Sequence, residues 1–400
     1  MAGRYKAYSE YQDSGVDWPQ QMPNHWKRCP LKFLAKIKNG QDYKSVEAED
    51  GYPVMGSGGR FTYASEYMYN RESVLLGRKG TIDKPLYINE PFWTVDTMYY
   101  TEIPSDTYGR FVYYLALTIP FGKYSTNTAL PSMTQEHLGN NQFVIPSCKK
   151  EQKQIARFLD HETGKIDALI EKQQALIALL QEKRQAVISH AVTKGLNPDA
   201  KMKDSGVEWL DSLPSHWDLI KMSYILKLQS GDGITSSNIE AVGDYPVYGG
   251  NGQRGFTSTY NCEGKYVLIG RQGALCGNVN LAENKFFASE HAVVVYPRIS
   301  FDTVYLAEML RFLDLGQYSV SAAQPGVSVE RLNMLKVICP PLDEQRCIAK
   351  FVTDEIVKFD ELSEHSENAI TLLQERRTAL ISAAVTGKID VRDWEPAPEA

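Results

Sequence analysis

Asp13-Ser14-Gly15-Val16-Asp17-Trp18, followed by Pro23-Asn24-His25-Trp26, returns later as Asp204-Ser205-Gly206-Val207-Glu208-Trp209, followed by Pro214-Ser215-His216-Trp217. The run Val74-Leu75-Leu76-Gly77-Arg78-Lys79-Gly80 returns as Val267-Leu268-Ile269-Gly270-Arg271-Gln272-Gly273. Leu180-Gln181-Glu182-Lys183-Arg184 returns as Leu373-Gln374-Glu375-Arg376-Arg377, and Ala191-Val192-Thr193 as Ala384-Val385-Thr386. The offset, about 193 residues, is far beyond the roughly 20–50 residues of a solenoid repeat. This is a duplicated domain with a duplicated connector, so what one half binds, the other binds in a related form.

The bulk properties narrow the class. Four hundred residues give room for two or three domains, each with its own core. Many of the 23 tyrosines fall near glycines, where loops carry recognition surfaces. No apolar run approaches the roughly 20 residues of a membrane span. The start, Met1-Ala2-Gly3-Arg4-Tyr5-Lys6, lacks the apolar stretch of a secretory signal. The six cysteines form no CxxC pair and none clearly repeats between halves, which points to reduced thiols in a cytoplasmic protein. The net charge of −6 argues against a nucleic-acid binder working alone. Residues 1–150 carry 17 basic and 15 acidic groups, and residues 195–343 carry 12 and 16. That balance fits a chain that borrows phosphate contacts from basic partners.

Each half has two parts. The first is rich in Gly, Tyr and short β-type runs, namely Ser73–Gly77, Thr97–Glu102 and Gln142–Ile145, then Lys265–Gly270, Ala292–Tyr296 and Lys336–Cys339. The second is a long helix that opens after a proline and a Glu-Gln pair: Pro146 with Glu151-Gln152, and Pro340-Pro341 with Glu344-Gln345. Acidic residues there suit the positive end of the helix dipole. The apolar stripes run Ile155, Leu159, Ile166, Leu169, Leu176, Leu180, Val187 and Ile348, Val352, Phe359, Leu362, Ala369, Leu373, Leu380. Their heptad-like spacing predicts that the two helices pair with each other, with Gly164 a site for a kink. Gly195-Leu196-Asn197-Pro198 reads as a helix stop and linker, and Trp394–Ala400 as a disordered tail. The expected organisation is therefore recognition domains over 1–150 and 195–343, helices over 151–194 and 344–388, and a tail over 389–400.

The search for chemistry is mostly negative. Gly250-Asn251-Gly252-Gln253-Arg254-Gly255 is a literal GxGxxG, but a dinucleotide loop must open a helix, and Phe256-Thr257-Ser258-Thr259-Tyr260 is poor helix-starting material. The corresponding Gly56-Ser57-Gly58-Gly59-Arg60-Phe61 breaks the pattern. Both read better as contact loops, with Ser57, Gly58 and Arg60 at one tip and Asn251, Gln253 and Arg254 at the other. No GxxxxGK[ST] is present, nor an Asn/Asp-Pro-Pro-aromatic tetrapeptide, and no nucleophile–base–orienter set repeats. His25 and His216 sit in a tryptophan motif that suits packing. The Gly-Arg turns place Arg78 with Lys79 and Arg271 with Gln272 at strand ends. Such residues suit contacts to bases and phosphates, or an arginine tied to a carboxylate of its own domain. Polar loops at Ser125-Thr126 and Ser319–Gln324 are further contact candidates. A free-standing DNA-binding regulator, or an enzyme built on Gly250–Gly255, are the rival classes.

Taken together, the doubled tryptophan opening, the Gly-Arg-x-Gly turn, the Glu-Gln helix entry and the Leu-Gln-Glu-Lys/Arg-Arg…Ala-Val-Thr helix ending resemble the specificity subunits of type I restriction-modification systems, over about residues 9–390. The resemblance implies an α+β fold: two homologous mixed α/β target recognition domains separated by two long helices packed as an antiparallel coiled coil, with internal pseudo-two-fold symmetry. It implies that each domain reads one half of an asymmetric bipartite site in double-stranded DNA, with the helices setting the gap. It also implies two adenine-N6 methyltransferase subunits as partners, and restriction subunits through them. S-adenosylmethionine, ATP and Mg2+ would belong to those partners, and this chain would hold no cofactor, metal or catalytic residue.

Overall fold

The computed structural model describes residues 5–124, 131–273, 275–319 and 325–396. The chain divides into two compact units, Met1–Gln174 with Glu367–Ala400, and Ala175–Ser366. In the first, a short antiparallel pair (Tyr11–Asp13 with Gln21–Pro23) precedes the strand Trp26–Pro30, which pairs antiparallel with Gln142–Pro146. Between those two strands lie the two sheets that make the domain body. One has the order Lys36–Asn39, Met98–Glu102, Ser73–Gly77, Leu86–Ile88; the other has the order Trp93–Thr94, Tyr52–Gly56, Gly59–Ala64, Glu47–Ala48.

The second unit repeats this plan. Met202–Val207 pairs with Leu210–Pro214, and Asp218–Lys221 with Lys336–Cys339. Its sheets run Leu226–Ser230, Ala292–Pro297, Tyr266–Gly270, Val279–Ala282 and Gly252–Thr257, Tyr245–Gly249, Lys285–Ala288, Cys262–Glu263. The β-type runs read from the sequence are thus strands to within about one residue. Val74, Leu76 and Tyr99 in one unit, and Val267, Ile269, Val293 and Val295 in the other, turn into the cores. Helices Gly109–Ala116 and Thr303–Phe312 cover them, burying Phe111, Val112 and Leu115 in one and Tyr305, Leu306 and Met309 in the other.

The long helices are Lys149–Lys194 and Leu342–Val385. The first passes through Gly164 without a break. In the first unit Ile166 and Ile170 share a core with Leu373 and Leu380, and Arg377 Nε donates to Asp167 at 2.8 Å. Burial opposes charge on Arg377, but the hydrogen bond and charge of Asp167 outweigh it and raise its pKa. In the second unit Ile188, Ala191 and Val192 share a core with Ile348, Ala349 and Val352, and Arg184 Nη1 donates to Asp360 at 2.8 Å. Numbers rise along one helix as they fall along the other, so the pair is antiparallel.

The predicted stripe holds at the helix ends and fails in the middle. Leu169, Leu176 and Leu362 are exposed, while Ile170, Gln173, Ile177 and Ser363 are half-buried and Ser366 is buried. Polar and small residues occupy inward positions there, so counting apolar residues chose the wrong face. Nor is the C-terminal stretch disordered as far as it is described. Asp390 N–H bonds Lys6 O, Val391 is buried, and the Trp394 ring stands edge-on to Phe158 at 5.2 Å.

Candidate nucleic-acid interface

Each body is fastened to the start of a long helix by the repeated tryptophan opening. Trp26 and Trp217 are 3% and 0% exposed, and each indole N–H donates at 2.9 Å to a carboxylate in the first turn of its helix, Glu151 and Glu344. His25 and His216 reach the same carboxylates at 2.9 and 2.7 Å. Tyr8 donates to Glu151 at 2.8 Å, and burial, then Glu151, pushes its pKa above the ordinary value. The next residue works inward: the Gln152 carbonyl accepts from Tyr108 N–H at 3.0 Å, and that of Gln345 from Asp302 N–H at 2.9 Å. The Glu-Gln pair is therefore a clasp between helix and body, a role that a dipole reading of the sequence missed. Gly195 and Gly387, ending the helices at φ +78° and +71°, lie against the Trp217 and Trp26 rings. A side chain at either would meet the ring in a backbone conformation that favours glycine.

On this frame the Gly-Arg turns are pinned alike. The N–H groups of Arg78 and Arg271 donate to Thr97 O and His291 O at 2.9 and 2.8 Å, and their carbonyls accept from Met133 and Val327, both at 2.9 Å. Gly80 and Gly273 donate to Pro131 O and Pro325 O. A Cβ on Gly77 or Gly270 would collide with backbone, of Thr81 and Gly250 respectively. Each turn is thus rigid where a contact residue has to be placed. Arg78 and Arg271 are half-buried, with Nη1 donating to Asp96 O at 3.2 Å and Ser230 Oγ at 3.4 Å. Neither arginine pairs with a carboxylate among the described residues. Lys79 and Gln272 are exposed.

The glycine loops are the turns of β-hairpins. Gly250–Gly255 starts the strand Gly252–Thr257 and opens no helix, so it lacks the geometry of a dinucleotide loop. Gly58, Arg60, Asn251, Gln253 and Arg254 are exposed and Ser57 is half-buried. In the second unit the hairpin and the Gly-Arg turn meet: a Cβ on Gly250 would strike the Gln272 carbonyl. Asn278 Nδ2 there donates to Asn251 Oδ1 at 3.2 Å, a loop partner without a signal in the residue pattern. Beside them, Glu290 Oε2 and His291 Nδ1 are buried without a hydrogen-bond partner among the described residues. Ser319 Oγ accepts from Gly326 N–H at 2.9 Å. Ser125, Thr126 and Gln324 lie outside the described residues.

Strand register corrects one equivalence. The glycine pattern of the tips aligns Arg60 with Arg254, but Met55 faces Arg60 where Tyr248 faces Gln253. Arg60 therefore corresponds to Gln253, and Phe61 to Arg254. The repeated Tyr-Pro-Val before each loop, Tyr52-Pro53-Val54 and Tyr245-Pro246-Val247, was the signal that would have shown it.

Among the described residues no group of three or more His, Cys, Asp or Glu side chains is placed to hold a metal, and no helix is long and apolar enough to cross a membrane. Fold and site define a class, a protein with two recognition domains joined by paired antiparallel helices. The family model for the type I restriction modification DNA specificity domain matches twice, over residues 23–179 and 214–372, and the chain belongs to that family. It is 41% identical over 153 residues to the type I restriction enzyme EcoprrI specificity subunit of Escherichia coli, a match spanning 37% of this chain and 36% of that protein. Its match to the EcoBI specificity subunit of Escherichia coli is 23% identical over 91% of this chain and 86% of that protein. Its fold is similar to a chain from a structural study of complex assembly and conformational transition of the type I R-M system, with a TM-score of 0.67 at 15% identity over 93% of this chain and 100% of that one.

Proposed function

We propose that this chain is the sequence-reading subunit of a type I restriction-modification complex in the cytoplasm. Each recognition domain, over about 1–150 and 195–343, reads one half of a split site in double-stranded DNA. The helices set the unspecified gap and dock two adenine-N6 methyltransferase subunits, through which restriction subunits join. Catalysis, and the use of S-adenosylmethionine, ATP and Mg2+, belongs to those partners. The observation that carries this reading is the pair of Gly-Arg turns, pinned by the same backbone bonds in both units beside hairpin tips of different sequence. Equal frames with unequal tips suit an asymmetric site. The net charge of −6 fits a reader whose phosphate grip comes largely from its partners.

A methylation map of DNA from cells carrying the chain and its modification subunit tests this. Two different half-sites around a fixed gap are expected; identical half-sites, or no split motif, would refute it. Inserting one helical turn near Ala178 should lengthen the gap and leave both half-sites unchanged. Arg78→Ala and Arg271→Ala should each weaken one half-site only, by about 1–3 kcal/mol for a bidentate base contact. Tight, site-specific binding by the purified chain alone would favour a free-standing DNA-binding protein.

A further inference from the structure

Both hairpins carry a one-residue bulge at the same place. Register steps between Val54 and Met55 in one and between Val247 and Tyr248 in the other, which leaves Phe61 and Arg254 as the extra residues. The bulged side chain behaves alike in both. It lies over the glycine that ends the preceding strand, so that a Cβ on Gly56 would come within 3.2 Å of the Phe61 ring and one on Gly249 would collide with the Arg254 side chain. Phe61 is held further by Tyr43, edge-on at 5.2 Å.

The residue just before the bulge is different. Arg60 and Gln253 are exposed, and neither head group has a hydrogen bond or ion pair among the described residues. Arg60 lies 5.0 Å from the Tyr63 ring centroid, a contact that steadies the side chain without using its five donors. A two-stranded ribbon fits the major groove, where an arginine fork matches O6 and N7 of guanine and a glutamine amide matches N6 and N7 of adenine.

Resting on the reading that each domain contacts one half-site, we infer that positions 60 and 253 are equivalent base-reading positions. Arg60 selects a guanine in the first half-site and Gln253 an adenine in the second. The duplicated hairpin thus holds one reader in a shared register, and exchange of that residue changes the base without moving the frame.

The test uses the full chain with its modification subunit and compares R60Q, R60K and Q253R with the parent. Methylation maps and binding to a panel of sites are read at several salt concentrations. R60Q should convert one guanine of the first half-site to adenine, and Q253R one adenine of the second to guanine, with the other half-site unchanged each time. Affinity for the parental site should fall ~10- to 100-fold. R60K should keep the charge and unfold at the parental temperature, yet lose discrimination at that base, because an ammonium lacks the fork. Uniform weakening on every sequence, with a shallower salt dependence and parental base preference, would mark a phosphate contact and overturn the inference. A parental map without a split site would instead overturn the proposed function itself, and the inference with it.

Discussion

In the second domain Trp209 stands edge-on to Phe312, ring centroids 6.1 Å apart. In the first, the corresponding Trp18 is 45% exposed, and Thr118 holds the place of Phe312. The two segments can be matched from their helix N-caps, because Tyr108 and Asp302 donate to the equivalent clasp glutamines, Gln152 and Gln345. A cleft of about 670 Å3 opens where the aromatic partner is missing, lined by Trp18, Arg28, Thr118 and Lys123 among others. The first tryptophan of the opening motif is thus half-buried against a ring in the second domain and exposed in the first, where a threonine just past the helix end stands in the ring's place. What the domains share is the clasp and the pinned turn; what separates them lies at the surface and at the chain ends.

The largest expected difference concerns those ends. The first domain takes in the segment after the second helix: Ile389 and Val391 are buried in its core, and Gln154 donates to Val391 O at 3.2 Å. Truncation after Gly387 should destabilise that domain by about 3–6 kcal/mol, at ~1.5–3 per buried side chain, and leave the second domain intact. Differential unfolding with limited proteolysis would show it, and equal loss in both domains would break the contrast. Trp26→Ala and Trp217→Ala probe the shared part. Each should cost about 3–5 kcal/mol, the range for large aromatic truncations, and each should unfold only its own domain. A cost confined to one would mean that the clasp is not truly duplicated.

Much of this frame was legible in the sequence, for a physical reason. Strands such as Ser73–Gly77, all buried, are apolar runs cut off by glycine, and packing left little choice of residue. The middle of the helices was not legible. Gln173, Ser363 and Ser366 turn inward and Leu169, Leu176 and Leu362 outward, so hydrophobicity there reports neither face. The clasp was half legible: position and residue type of Glu151 and Glu344 were evident, but their bond to an indole N–H some 125 residues away depends on the fold. The reader equivalence was hidden by the tips themselves, because aligning their glycines and arginines slips one loop by a residue, whereas the Tyr-Pro-Val ahead of each keeps the true register.

Alkaline pH should act on both domains through different tyrosines. Burial, then neighbouring charge, raises Tyr8 in the first and Tyr305 in the second above the ordinary 10.0. A group raised in the folded state favours folding fully below the unfolded value and loses that contribution as pH climbs past it. Stability should therefore hold to about pH 10 and then fall by up to ~1.4 kcal/mol per pH unit for each such tyrosine. Tyr8→Phe should flatten the alkaline loss in the first domain alone, as read from unfolding midpoints between pH 9 and 11.5.

The smallest effect is the most direct test of the opening contrast. Thr118→Phe would give Trp18 the partner that Trp209 already has. An aromatic pair of this kind contributes ~0.5–1.5 kcal/mol beyond area burial, offset in part by losing the bond from Thr118 Oγ1 to Leu115 O at 2.7 Å. The first domain should unfold a few degrees higher, with Trp18 emission shifted to the blue as its ring leaves water. Phe312→Thr should do the reverse in the second domain, red-shifting Trp209. If Thr118→Phe changes neither midpoint nor emission, the cleft is held open by something other than the missing ring. Arg28 is then the residue to examine, since its Nη1 already donates to Gly15 O at 3.1 Å across the same motif.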